Sequence, residues 1–170
     1  MPASSKPRKA YRPRPVDVDP TQLAIARAAL VPPPQRATLV RPVQQALDGL
    51  RTATGGWPAW RGMADAMNVA ERLALAGIAS DRMPEIQLAQ DALQALHARH
   101  ATTGSWTLRA EELRALDDGA FFHRVQLEHC TQGELHDAIQ AVQRRVAQAL
   151  AGNAPRDARV CIGQLGGQAG

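Results

Sequence analysis

The strongest constraint on the fold of this chain is an apolar stripe that begins directly behind a helix-capping sequence. The residues TQGE, from Thr131 to Glu134, match the capping box, in which the Thr side chain bonds forward and the Glu side chain bonds back. Gly152, Asn153 and Pro155 end the segment. Between these limits apolar residues recur every three or four positions, as on one face of a helix: Leu135, Ile139, Val142, Val146 and Leu150.

Five further helical segments are predicted upstream, bounded mainly by proline and glycine. Residues 21–31 form a short candidate that stops at the triple proline of residues 32–34, which we interpret as a stiff extended spacer. A second helix is expected from about residue 37 to residue 52, with Pro42 in its first turn or marking its true start. Apolar residues three and four apart predict the other three helices, over residues 57–77, 80–102 and 107–130.

Composition favours helices packed on helices. Aromatic residues make up only 4% of the chain, and the β-branched residues that fill sheets are scarce beside alanine and leucine. We therefore predict an all-α bundle of four to five main helices over residues 21–151. Residues 1–20 are rich in proline and basic residues and are predicted to be a disordered arm, and residues 152–170 are predicted to be a flexible tail.

The positive charge of the chain is concentrated in the arm. The first 15 positions hold no acidic residue and five basic ones, so the rest of the chain has a net charge of −1 while the whole chain has +4. These five side chains are candidates for contact with nucleic acid or an acidic partner: Lys6, Arg8, Lys9, Arg12 and Arg14. The neutral remainder lacks the broad basic face of a nucleic-acid-binding domain, so we interpret the arm as an auxiliary grip.

One pair of histidines has metal-ligand spacing. His97 and His100 are three residues apart on a predicted helix, and zinc sites often use such pairs. Each of them, however, continues the apolar stripe, four residues after Leu93 and Leu96 respectively. We therefore expect packing residues here and predict no metal ion or other cofactor.

A second group, His129, Cys130 and His136, is the strongest candidate for nucleophilic catalysis, which needs a thiol beside a positioned base. Adjacent residues of a helix point about 100° apart, so His129 and Cys130 do not face each other. The break at Thr131 separates both from His136. We therefore expect no catalytic pair and predict that the protein is not an enzyme.

Three tryptophans lie near loops, at predicted helix starts: Trp57, Trp60 and Trp106. Tryptophan in such a place is typical of a binding hot spot, which makes the three candidates for contact with a partner. The alternative interpretation is a lid that closes one end of the bundle core.

The sequence predicts neither export nor membrane insertion. No apolar segment follows the charged N-terminal region, and no apolar run reaches the roughly 18 residues that would span a bilayer. Two cysteines without disulfide-rich spacing are typical of a reducing compartment. We therefore expect a cytoplasmic protein that contacts no membrane.

Two stretches resemble a known group of proteins. The segment KAYRPRPV, from Lys9 to Val16, followed by MADAMNVAERLA, from Met63 to Ala74, resembles short uncharacterised helical proteins of proteobacterial phages and prophages that open with a KYRPRPV-like arm. The resemblance implies an accessory protein of a mobile element, expressed inside a bacterial host, and it carries no catalytic residues over to this chain.

Such accessory proteins commonly bind and block a host complex, as anti-CRISPR and other anti-defence proteins do. The resemblance therefore implies a non-enzymatic protein that binds and inhibits a host protein or ribonucleoprotein complex. The alternative is a small nucleic-acid-binding regulator that uses the basic arm.

Overall fold

A computed structural model of the protein describes residues 19–152, which fold into a helical bundle. The described elements are α1 (Pro20–Ala28), α2 (Pro33–Arg51), α3 (Gly56–Leu75), a 3-10 turn (Ser80–Arg82), α4 (Met83–Thr103), α5 (Ala110–His129) and α6 (Gln132–Leu150). The described part contains no strand and one isolated antiparallel bridge, between Leu30 and Thr131. The predicted all-α bundle of four to five main helices is confirmed, because α2 to α6 have 19 to 21 residues each and α1 has nine.

The predicted arm and tail fall almost wholly outside the described residues. Only residues 19 and 20 of the arm and residue 152 of the tail are described. All five basic candidates of the arm lie outside: Lys6, Arg8, Lys9, Arg12 and Arg14.

The capping box that begins α6 is confirmed. The backbone N–H of Glu134 donates to the Thr131 hydroxyl oxygen at 3.2 Å, and the backbone N–H of Thr131 donates to the Glu134 carboxylate at 2.7 Å. These two bonds satisfy two amides that a helix start otherwise leaves without acceptors. The predicted stop of α5 near Cys130 is confirmed as well, since α5 ends at His129 and Cys130 has extended backbone angles.

The predicted start of α2 was wrong. The helix begins at Pro33, and only Pro32 of the triple proline keeps extended backbone angles. Proline fits the first turn of a helix because its missing N–H has no acceptor there. Pro42 lies inside α2 and is exposed. Because proline has no N–H, the backbone carbonyl one turn earlier lacks its amide donor, and this occurs on the solvent-exposed side of the helix.

The start of α5 also differs from the prediction, by three residues. The helix begins at Ala110 rather than Thr107, because Arg109 takes the N-cap position in extended conformation. The Glu112 carboxylate accepts a hydrogen bond from the Arg109 backbone N–H at 2.8 Å. The carbonyl of Thr107 is held instead by the guanidinium of Arg99, at 3.0 Å.

Helix α3 is the centre of the bundle, with α2, α4, α5 and α6 packed around it. Its buried side chains include Met63, Met67 and Leu73, all fully inaccessible to solvent. The main core joins α2, α3, α4 and α5. A smaller cluster at the other end of the bundle contains Val31, Leu73, Leu127, Cys130, Leu135 and Ala138.

Gly119 lets α5 approach α3 and α4 closely. A Cβ atom at this position would lie 2.7 Å from the Cβ of Ala89 and 2.7 Å from the Sδ of Met67. Both neighbours are fully buried. The helix crossing therefore depends on the absence of a side chain at residue 119.

Helix α1 lies on the outside of the bundle against α6 and has no buried residue. Arg27 pairs with both oxygens of Asp137 at 2.8 Å, and this ion pair is solvent-exposed. None of α1 to α6 combines the length and the apolarity that crossing a membrane requires.

Candidate binding groove

The structure brings the three predicted tryptophans into one aromatic cluster with the two predicted histidines. The rings of Trp57 and Trp60 stack with centroids 4.9 Å apart, and the His97 ring lies 5.1 Å from Trp60. His100 stacks on Trp106 with a centroid distance of 3.9 Å. The start of α3, the last turns of α4 and the loop after α4 supply these five rings.

The cluster is more a closed end of the core than an open surface. Trp60 is 2% exposed, and its indole N–H donates to the backbone carbonyl of Leu93 at 2.8 Å. Trp57 and Trp106 are half-buried and pack against the main core. Of the three predicted contact residues, only Trp57 and Trp106 therefore offer surface to a partner.

The candidate histidine–cysteine group is divided between the core and the surface. Cys130 is fully buried, and this burial raises the pKa of its thiol. His129 and His136 are exposed on α5 and α6. Among residues 19–152, no three His, Cys, Asp or Glu side chains are placed to hold a metal ion.

A concave feature of a different kind lies between α2 and α5. Two recesses meet there and share Val40, Gln44 and Arg124 in their walls. We call them together the α2–α5 groove. The first, the apolar recess, has a volume of about 190 Å³ and is also lined by Val43, Leu47, Asp117, Ala120, Phe121 and His123. The second, the cationic recess, has a volume of about 420 Å³ and is also lined by Pro33, Arg36, Ala37, Arg41 and Glu128.

The two helices run antiparallel along the groove, and one end is closed by an ion pair. Pro33 of α2 lies at the end near Glu128 of α5, and Leu47 lies at the end near Asp117. The Asp117 carboxylate accepts from the guanidinium of Arg51 at 2.7 Å, which joins α5 to the last turn of α2. This exposed contact links the two helices beside the apolar recess.

The charges of the cationic recess are not balanced. Arg36, Arg41 and Arg124 line it against one carboxylate, that of Glu128. None of the three guanidinium groups has an ion-pair partner among residues 19–152. The Arg124 guanidinium lies 5.2 Å above the ring of Phe121, which is half exposed. The recess therefore presents cationic donors next to apolar surface.

His123 forms part of the wall of the apolar recess and is buried. Burial lowers the pKa of His123 to about 4. The neighbouring Gln126 side chain raises this pKa, but its effect is smaller than that of burial. The imidazole is therefore neutral at neutral pH. A neutral ring keeps the apolar recess free of an additional positive charge.

Acidification is expected to destabilise the protein through His123. The unfolded chain takes up this proton near pH 6.5, whereas the folded chain takes it up only near pH 4. Stability from this group is thus complete above the unfolded pKa and is lost as the pH falls toward the folded pKa. Between about pH 7 and pH 5 we expect the free energy of unfolding to fall by about 2 kcal/mol in urea titrations.

A His123→Gln variant tests the assignment, because its unfolding free energy should lose most of this slope. His136→Gln, on the exposed face of α6, is the matched control and should keep the slope. Ordinary carboxyl groups titrate below this range. An unchanged slope in His123→Gln would mean that another group causes the pH dependence.

Comparison with known proteins does not assign the groove. The chain matches no protein-family model, no curated protein and no solved structure. The interpretation of the groove therefore depends on the chemistry of its own residues.

The α2–α5 groove was not predicted from the sequence. Val40, Val43 and Leu47 have helical spacing on α2, and Ala120 and Phe121 are apolar residues on one turn of α5. These local patterns indicate that each helix has an apolar face. They do not indicate that the two faces meet, since the contributing segments lie about 80 residues apart in the chain.

Proposed function

We propose that this chain is a non-enzymatic accessory protein of a phage or prophage that acts inside the bacterial host. It binds and inhibits a host protein or ribonucleoprotein complex, as anti-defence proteins of the anti-CRISPR kind do. The groove between α2 and α5 is its contact surface. The phage context comes from the resemblance of residues 9–16 and 63–74 described above.

The observation that carries this proposal is the α2–α5 groove itself. It combines an apolar recess, an exposed phenyl ring and three arginines without ion-pair partners in the described part of the chain. Aromatic and arginine side chains are enriched among the residues that dominate binding energies. Together they form a surface suited to a protein partner.

The state of the candidate catalytic residues supports a binding role. The Cys130 thiol is buried and its pKa is raised, so it is a poor nucleophile. His123 is enclosed and has a lowered pKa, with no hydroxyl or thiol in the lining of its recess. Trp57 and Trp106 stay predicted contact residues at a second surface.

The proposal is tested by filling the groove in the full-length chain. Gln44 is exposed and belongs to both recesses, so Gln44→Trp places an indole in the middle of the groove. The wild type should capture a stoichiometric protein partner from nuclease-treated bacterial lysate. We expect the amount captured by this variant to be at least about tenfold lower. The captured protein is identified by mass spectrometry, and its binding is then measured with purified components.

The neighbouring Gln45 provides the matched control. It is also exposed on α2 but does not line either recess, so Gln45→Trp should keep the wild-type capture. Both variants should show the wild-type helical circular dichroism. Equal capture by the two variants would place the partner on another surface.

A nucleic-acid-binding regulator is the second candidate, and the five basic residues of the arm favour it. The same capture experiment separates the two functions. Bound material that disappears with nuclease, and that also requires residues 1–15, would replace the protein partner with nucleic acid. Such binding would weaken steeply with salt, because each neutralised phosphate releases counterions.

A further inference from the structure

The distribution of charge and apolar surface in the α2–α5 groove indicates what kind of segment it binds. This inference rests on the proposed function, because it specifies the partner of the same groove. We propose that the groove binds an acidic amphipathic helix of a partner protein. One apolar side chain of that helix enters the apolar recess, and its carboxylates bind Arg36, Arg41 and Arg124.

The charge of the groove selects an acidic partner. In a described region whose basic and acidic residues nearly balance, three arginines converge on one recess that holds a single carboxylate. No carboxylate of residues 19–152 pairs with any of them. Guanidinium groups bind carboxylates through two parallel hydrogen bonds, which aspartate and glutamate of a partner would complete.

The length of the groove matches a helix. Its α2 wall extends from Pro33 to Leu47. At 1.5 Å per residue this is about 20 Å, or roughly four turns. The wall residues Ala37, Arg41 and Gln44 are exposed, so the groove is an open trench rather than an enclosed cavity. An open trench between two helices is the usual site for an amphipathic helix laid along it.

The apolar recess has room for one large side chain. Its volume is about 190 Å³, with Val40, Val43, Leu47 and Ala120 in its walls. An apolar cavity of about 150 Å³ already accepts a benzene ring. Phe121 lies at the same recess with half of its surface exposed, so an apolar anchor from a partner would cover it.

The lining favours a protein segment over nucleic acid. Single-stranded nucleic acid is held by exposed aromatic faces on which bases stack. The phenyl ring in the described lining, that of Phe121, has the Arg124 guanidinium above it. The apolar recess, with Val40, Val43 and Leu47 in its walls, suits an apolar side chain, which a phosphate chain does not carry.

The experiment is a selection of random peptides, about 14 residues long to span the groove, displayed on particles and presented to the full-length protein. We expect the selected peptides to share acidic residues and at least one large apolar residue. Individual peptides are then synthesised, and their affinity is measured by fluorescence anisotropy at two salt concentrations. Binding to Arg41→Glu and to Arg124→Glu should be at least about tenfold weaker than to the wild type.

Arg144→Glu is the matched control, because Arg144 is exposed on α6 and does not line the groove. Its affinity for the selected peptides should stay within about twofold of the wild type. Selected peptides without acidic residues, or equal losses in all three variants, would overturn the proposal. Oligonucleotides or a second copy of the chain that bind in place of peptides, with the same sensitivity to Arg41→Glu, would also overturn it.

The outcomes separate this inference from the proposed function. If Gln44→Trp abolishes capture of the partner while both groove arginine variants retain it, the groove stays the contact surface but the acidic helix is rejected as its ligand. If Gln44→Trp leaves capture unchanged, the groove is not the contact surface.

Discussion

A Gly119→Val variant is expected to lose about 3 kcal/mol of unfolding free energy. Its Cβ would lie 2.7 Å from the Cβ of Ala89 in α4. The Ala89 Cβ cannot rotate away, because it is bonded directly to the helix backbone. The Sδ of Met67, at the same distance, can shift, but it occupies a fully buried position with little free space. The valine methyl groups would therefore force α5 away from α3 and α4.

Asp118→Val is the matched control for this effect. Asp118 is the preceding residue of α5 and is exposed, so valine there is nearly neutral in helix propensity and meets no collision. Urea unfolding at neutral pH should show a change within about 1 kcal/mol for this control. Equal losses at the two positions would show that valine is unfavourable throughout this part of α5, and that close packing at residue 119 does not limit the substitution.

A Glu112→Ala variant is expected to lose about 3 kcal/mol. The Glu112 carboxylate accepts from the Arg99 guanidinium at 2.9 Å and from the Arg109 backbone N–H at 2.8 Å. The side chains of Arg99 and Glu112 are only 20% and 7% exposed, so removal of the carboxylate leaves a poorly hydrated cation. The same substitution also removes the acceptor that caps the start of α5.

Glu111→Ala controls for the loss of one acidic residue in the first turn of α5, since Glu111 is exposed.

The hydrogen bond from Arg99 holds the pKa of Glu112 below its ordinary value of 4.5. Its stabilisation is therefore complete above that value and is lost as the pH falls through the lower, folded pKa. The difference between wild type and Glu112→Ala should be constant near neutral pH and shrink in acid, and a constant difference would contradict the ion pair.

Helix positions were predictable because their signals are local. The capping box at Thr131 and the stripe behind it located α6, and Pro84 correctly marked a first turn, that of α4. The start of α2 was predicted wrongly because proline can either break a helix or begin one. Inside a helix it usually breaks the pattern, but it suits a first turn, and α2 uses it there at Pro33.

The groove was not predictable because it depends on pairing between distant segments. Arg36 and Arg41 stand in a part of the chain with no obvious function, and Arg124 lies more than 80 residues further on. A zero balance of charge over the helical region concealed their convergence, since most of the acidic residues lie outside the groove. The aromatic cluster was half predicted: the tryptophans were singled out, whereas their stacking with His97 and His100 required the packing of α3 on α4.

The attachment of α1 has a consequence for local opening of the fold. The helix buries no residue, and its exposed Leu23 and Ile25 gain little from docking. The chain is fastened just after it, where Val31 is 2% exposed and its N–H donates to the Cys130 carbonyl at 3.2 Å. Residues 20–28 can therefore detach at a small fraction of the global unfolding free energy while α2 and α5 keep the groove intact. The hinge lies just before Ala29, whose carbonyl accepts from the Gln132 backbone N–H at 2.8 Å.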